Sequence, residues 1–411
     1  MHKKWLLVFT IIVIGALVCA GCTQQVSQSE KSNTKPDTST LGYKTVVDSR
    51  GVAVKIPTDI HRVVTISDGM IEAVMIRFGV ENTLVGVGTT SVQSNSTYVF
   101  PSVKGKNVTY TSGMNTVAYL NPRIRDLPRI AESGSAVNYE TLASLKPDVI
   151  IIRVGDCALR YRDDENVKKT ITTIESLNIP LIVTYGPNAY DTATVSVISD
   201  EIRILGEVFG KENEAKKLSQ YLEGQVNMIR ERTRNIPDAD KPTVLILGLS
   251  PTARKNGGAG QVYGTGTIES FFIENLVNAK NSYGEERAYA KTLSAEQILA
   301  NNPDKIVLCT QGGYHPPVEL YEAPYYQNLQ ELSAVKNRQV SAMPWTPSNC
   351  GKRLEYPIDA MVIAMTAYPD KFTDIELSEW LLQFYENLYG VDEATAKGLR
   401  SAQWMDWTVK G

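Results

Sequence analysis

The chain has 411 residues, enough for two domains that each bury a core of their own. Charged residues make up 21% and the formal net charge is −3, so the basic excess that nucleic-acid binding requires is absent and that class is set aside. Beyond the N-terminal leader only His61, His315 and three cysteines remain, with no C-x-x-C pair, which argues against a zinc site made of protein ligands alone.

Residues 1–22 open with His2-Lys3-Lys4, carry an apolar run over 5–18 and end in Cys19-Ala-Gly-Cys22. A charged start, a short apolar centre and small residues before a cut site read as a signal peptide, and the run is too short for a comfortable membrane span. Ala-Gly-Cys resembles the lipobox of lipoproteins, which makes Cys22 the expected lipid anchor. Cys19 stands where that pattern prefers Leu, and a plain secretory cut nearby is the alternative. Residues 23–41 are rich in Ser, Thr, Gln and Lys with almost nothing apolar, so they read as a disordered tether.

Residues 43–57 alternate apolar and polar around Ser49-Arg50-Gly51, a β-hairpin opening an N-terminal lobe over 42–187. A buried strand over 62–66 turns through Ser67-Asp68-Gly69 into an amphipathic helix over 70–78, which Gly79 stops before a strand at 84–88. Asn95-Ser-Thr and Asn107-Val-Thr are sequons of the kind found on surfaces. The stretch 140–157, E-T-L-A-S-L-K-P-D-V-I-I-I-R-V-G-D-C, then returns 156 residues later as E-Q-I-L-A-N-N-P-D-K-I-V-L-C-T-Q-G-G, pairing Pro147-Asp148 with Pro303-Asp304. Each copy reads as a helix broken at Pro-Asp and a strand apolar on consecutive residues, the pattern of a strand buried on both faces of a parallel sheet. Two copies predict two α/β lobes, with ligands at the carboxyl ends of their strands.

A strand at 181–184 precedes helices at 189–205 and 212–233. The second lobe opens with a strand at 243–247 and a Gly-rich loop at 254–260, in which neither G-x-x-x-x-G-K-[ST] nor G-x-G-x-x-G occurs; Arg254 or Lys255 facing an anionic solute is the preferred reading. A helix at 267–276, the second repeat, a Tyr- and Pro-rich loop, a loop over 341–356 and helices at 360–367 and 377–389 complete the chain, with Trp380, Phe384, Trp404 and Trp407 read as core or C-terminal docking. Cys309 and Cys350 form the candidate disulfide, leaving Cys157 free; unpaired buried thiols are the alternative.

Four blocks in order, D-S-R-G-x-x-V-x-I-P, R-V-V-T-I-S-D-G-M-I-E, F-G-V-x-x-x-L-V-G-V and L-K-P-D-V-I-I, resemble the periplasmic-binding-protein family that delivers iron–siderophore complexes, haem and vitamin B12 to ABC importers. The likeness runs from about Tyr43 to the C-terminus. It implies an α/β fold of two Rossmann-like lobes with mainly parallel sheets, a long interlobe helix at 188–206, a C-terminal lobe over 207–411 and a ligand cleft between lobes. The implied partners are a small-molecule metal chelate, an ABC permease and its ATPase, and the membrane through the anchor. A monomer without cofactor, resident metal or catalytic residues is expected.

The family docks on its permease through one glutamate per lobe. Glu72 matches the first; the position aligned with the second is Phe272, so Glu269, one turn earlier, stands in, with Glu274 nearby. For the solute, the strand-end rule selects Asp68, Arg153, Arg160, Tyr185, Arg254, Lys255, Tyr314, His315, Trp345, Arg353 and Tyr356. Guanidinium groups grip carboxylates in bidentate fashion and aromatic faces cover flat surfaces, a mix suited to a chelate with acidic groups. An iron(III)–siderophore is the first expectation, with cobalamin or another corrinoid, haem or an oxyanion such as molybdate as alternatives. G-x-S-x-G and H-E-x-x-H are absent, so an enzyme is not expected; a surface sensor or a nitrogenase-like redox protein are the readings of another class.

Overall fold

The computed structural model describes residues 42–131, 137–284, 287–347 and 351–409. In chain order the first lobe carries β1 (Tyr43–Val47), β2 (Ala53–Pro57), β3 (Val63–Ile66), α1 (Met70–Phe78), β4 (Leu84–Val87), β5 (Asn95–Pro101), β6 (Asn107–Met114), α2 (Thr116–Leu120), α3 (Tyr139–Ser144), β7 (Val149–Val154), α4 (Glu165–Glu175) and β8 (Leu181–Tyr185). Strands β4-β3-β7-β8 form a parallel sheet, and every residue of β3 and β7 is buried, as consecutive apolar runs require. The β1–β2 hairpin pairs Tyr43 with Pro57 through Val47 with Ala53.

Two helices, α5 (Ser196–Phe209) and α6 (Glu212–Thr233), lead from β8 to the second lobe; α5 begins later than the expected 189, after a short turn at Pro187–Ala189. The second lobe follows with β9 (Thr243–Gly248), α7 (Pro251–Lys255), β10 (Gly260–Val262), α8 (Ile268–Phe271), β11 (Lys280–Asn281), β12 (Lys291–Leu293), α9 (Ala295–Asn301), β13 (Lys305–Leu308), α10 (Pro317–Glu322), α11 (Ser333–Lys336), β14 (Val340–Ala342), α12 (Tyr356–Ala367), α13 (Leu377–Tyr389) and α14 (Glu393–Ala402). Its sheet runs β12-β10-β9-β13-β14 with β11 beside β9; the β9, β13 and β14 pairings are parallel and β10 is antiparallel to both neighbours. The stretch read as a Tyr- and Pro-rich loop holds α10 and α11.

The repeat is structural. Asp148 accepts backbone hydrogen bonds from His61 and Arg62 ahead of β3, and Asp304 accepts from Thr243 N at the start of β9, all at 2.8 Å. In each lobe the Pro-Asp aspartate therefore ties the start of one central strand to its neighbour. The residue before each proline, Lys146 and Asn302, has a left-handed backbone (φ 45° and 40°), the turn that lets a helix end and a strand begin within a few residues.

Between β4 and α2 the chain sends out an element with no counterpart in the expectation. Strands β5 and β6 pair antiparallel from Asn95↔Met114 to Pro101↔Asn107, forming a long hairpin arm that lies against the second lobe.

Candidate functional site

The carboxyl ends of the two sheets face each other, and where they meet deepest they are in contact. Arg153, the penultimate residue of β7, is fully buried and gives both Nε and Nη2 to the Glu201 carboxylate of α5 at 2.7 Å, while Nη1 reaches Asp156 at 2.8 Å. Burial alone would lower its pKa, but Asp156 and Glu201 outweigh that and hold it above the usual arginine value. Asp156 accepts from Asp68 N, and the Asp68 carboxylate accepts from Cys157 N at 2.7 Å and from the Ser91 hydroxyl at 3.1 Å. Burial, reinforced by Asp156, raises Asp68 to about 6. From the other lobe, Arg353 donates to the Asp68 carbonyl at 3.1 Å and to the Thr346 hydroxyl. The fit is tight: a Cβ at Gly351 would collide with Asp156, and Gly69, at φ 116°, leaves no room for one beside Asn115 and Arg353.

Asp68, Arg153 and Arg353 are thus brought together, but as a closed floor. The Arg153 charge is spent on Glu201 and Asp156 rather than offered to a solute, and Arg353 hydrogen-bonds the Asp68 carbonyl and Thr346. A second buried group lies beside them in lobe 2, where Lys352 Nζ meets Asp359 at 2.8 Å and Glu269 at 3.7 Å.

Space remains at the mouth. An open cleft of about 120 Å³ is lined from lobe 1 by residues 160–163, 188–191 and 193 and from lobe 2 by Gly266, Thr267, Arg287 and Tyr289. Arg160 lies over the Tyr289 ring at 5.6 Å, across the lobes; Arg162 lies over Tyr190 at 5.5 Å; Arg287 Nη2 donates to the Asp191 carbonyl at 2.8 Å. Tyr190 in turn stands edge-on to Tyr185. Against the three guanidinium groups stand two carboxylates, Asp163 and Asp191, so the lining carries net positive charge. Such a mouth can hold an anion through bidentate hydrogen bonds while tyrosine faces cover its apolar surface.

Of the expected solute residues, Arg160 lines this cleft and Tyr185 supports it from behind. The others lie elsewhere. Arg254 donates to Leu249 O and the Tyr326 hydroxyl and sits over the Tyr325 ring at 4.0 Å, inside lobe 2, while Lys255 is exposed at the end of α7. Tyr314 and Trp345 are buried against Trp404, and Tyr356 is buried at the start of α12. His315 is no axial ligand for a haem or corrinoid: its Nδ1 meets Glu319 at 2.9 Å and its Nε2 meets Gln311 O at 3.1 Å. Arg162, Tyr190, Arg287 and Tyr289 were missed. Extending the strand-end rule a few residues beyond Arg160 reaches Arg162, whereas 287–289 carry no periodicity or motif.

The docking carboxylates need correction. Glu72 is 1% exposed, with Oε1 accepting from the Thr65 hydroxyl and Oε2 without a hydrogen-bond partner; burial raises it to about 7. Glu269 is 3% exposed beside Lys352. Neither presents its charge to a permease, and Glu274 is the exposed carboxylate of that helix. The cysteine expectation is also overturned. Cys309 is a free buried thiol, raised to about 12 by burial and by Glu269, whereas Cys157 is disulfide-bonded. Cys350, like the expected anchor Cys22 and the expected tether, lies outside the described residues.

A family model described as periplasmic binding protein matches residues 68–346. The chain belongs to the periplasmic binding protein family. It is 24% identical over 359 residues to the molybdate-binding protein MolA of Haemophilus influenzae, covering 82% of this chain and 92% of that one. Among solved structures, a periplasmic solute binding protein from Veillonella parvula superposes with TM-score 0.66 at 21% identity over 89% of this chain and 98% of its own. Molybdate-bound Haemophilus influenzae MolA superposes with TM-score 0.62 at 19% identity, over 85% and 98%. These likenesses match the two-lobe α/β architecture described above.

Proposed function

We propose that this periplasmic binding protein is the exported, Cys22-anchored solute-binding component of an ABC importer and captures an anionic metal chelate, an iron(III)–siderophore first, at the mouth between its lobes. The carrying observation is the convergence of Arg160, Arg162 and Arg287 with Tyr190 and Tyr289 around the open cleft. Acidic groups on a ferric chelate answer the guanidinium groups, and its flat apolar faces answer the tyrosines. Docking in this reading falls to Glu274 and to lobe-1 surfaces other than Glu72. The protein acts by binding and handing over, with no bond made or broken.

An oxyanion such as molybdate is the second reading, favoured by the likeness to a molybdate-binding protein. It leaves the tyrosines unused. Titration calorimetry of the full chain against a ferric catecholate, a ferric hydroxamate, haemin, cobalamin and sodium molybdate separates these. Saturable binding of one ferric chelate, weakened at least about tenfold by Arg160→Ala or Arg287→Ala, is expected, since a hydrogen bond to a charged group contributes roughly 1.5–3 kcal/mol. Binding of molybdate alone replaces the chelate with the oxyanion, and no binding to folded protein overturns both. Labelling of cells with a palmitate analogue, lost in Cys22→Ser, tests the anchor.

A further inference from the structure

We infer that the β5–β6 arm is a clasp that fixes the width of the cleft before any solute arrives. Both its roots are in lobe 1, after β4 and before α2, yet its apolar side belongs to lobe 2. Phe100 is 1% exposed in a hydrophobic core whose other buried members, from Leu245 to Ala342, all come from the second lobe. Beside it the Tyr98 hydroxyl donates to Glu319 at 2.8 Å, and its ring stands perpendicular to His315. Glu319 also accepts from Tyr325 at 3.0 Å and meets His315, so the arm closes over the buried His315–Glu319 pair.

Grip continues along both strands. At the tip, Ser102 and Lys104 reach the Glu322 carboxylate and Val103 N donates to Glu322 O at 2.8 Å. On the return strand Tyr110 packs edge-on to Tyr314 at 5.1 Å, and Trp404 donates from its indole to Thr111 O at 2.7 Å. Two glycines mark how close the surfaces come: a Cβ at Gly113 would enter the Trp404 ring, and one at Gly313 the Tyr98 ring.

The arm therefore ties the first lobe to the second around Tyr314, Trp345 and Trp404, away from the Arg160–Arg287 mouth. A cleft held on that side selects solutes by a preset gap rather than by closing around them, and Tyr98 and Phe100 act as positioning residues for a site they do not touch. This holds whichever solute is carried, because it concerns the unliganded chain.

The test is the interlobe distance distribution in the full chain without solute, from spin labels at Lys169→Cys on α4 and Ala300→Cys on α9, both exposed; the buried Cys309 thiol resists labelling. A single narrow distance is expected in the parent chain. Tyr98→Ala/Phe100→Ala should broaden it toward longer distances and speed amide exchange over 311–319. Tyr98→Phe/Ser102→Ala, which removes only hydrogen bonds, should do the same to a smaller degree, and it decides alone if the double alanine chain loses its circular dichroism. A broad distribution in the parent chain, or a narrow one in both variants, overturns the clasp.

Discussion

The two lobes are built on one plan and differ where they face each other. Strands β3, β7 and β8 correspond to β9, β13 and β14 in order and direction, and Asp148 does for the first trio what Asp304 does for the second. At the strand ends the correspondence stops. Counted along the repeat, the place of Arg153 is taken by Cys309, so lobe 1 ends its central strand in a buried ion triad and lobe 2 in a buried thiol near the Tyr263 hydroxyl. A repeated scaffold tolerates either, provided each charge taken out of water meets a partner. At the end of β7 that condition is met by ion pairing, which commits the Arg153 guanidinium to Glu201 and Asp156.

Breaking one member of the triad should expose the difference most strongly. Arg153→Ala leaves Glu201 and Asp156 buried and uncompensated, and removal of one partner of a buried pair costs about 3–5 kcal/mol. Cys309→Ala, at the matching place, loses only a few buried contacts and should cost about 1 kcal/mol. Urea melts of both variants check the contrast; equal losses would mean that the triad is not what holds the end of β7 in place.

Glu72 sharpens the comparison through pH. Its folded pKa, about 7, lies above the ordinary 4.5, with burial as the first cause and Thr65 opposing it. The folded chain then holds a proton that the unfolded chain has released, so stability from this group is highest below about pH 4.5 and falls as pH rises toward 7. At about 1.4 kcal/mol per pKa unit the fall amounts to about 3 kcal/mol. Glu72→Gln, which cannot ionise, should be more stable than the parent at pH 7.5 and lose that part of the slope between pH 4.5 and 7. Identical profiles in parent and variant would refute the buried acid.

The reasons some features were legible in the sequence and others were not follow from range. Consecutive apolar residues in 149–152 and 306–309, with Pro-Asp before each strand, are local signals, and the two-lobe architecture rests on them. The arm left no such trace: along β5 only Phe100 is fully buried, and Tyr98 finds Glu319 across 221 residues of chain. Arg153 read as a ligand because a cation at a strand end suggests one, yet its partner Glu201 lies 48 residues away on α5. Arg160 was legible at the mouth from its position after β7. Arg287 and Tyr289 were not, since a turn with no period gives single-sequence reasoning nothing to count.

The smallest expected effect lies back on the shared plan, at the residue before each proline. Lys146 and Asn302 both take a left-handed backbone, where a side chain with a Cβ costs roughly 1–2 kcal/mol and asparagine, whose short amide can hydrogen-bond locally, costs less. Lobe 2 already carries the better residue. Lys146→Asn should therefore stabilise the chain by about 0.5 kcal/mol, and Asn302→Lys should destabilise it by a similar amount or more, because the Asn302 side chain also accepts from Ser333 N at 2.9 Å. Thermal melts of the two single variants and of the exchanged pair decide it. A loss in Lys146→Asn would show that the lysine is held there by something other than the turn the two lobes share.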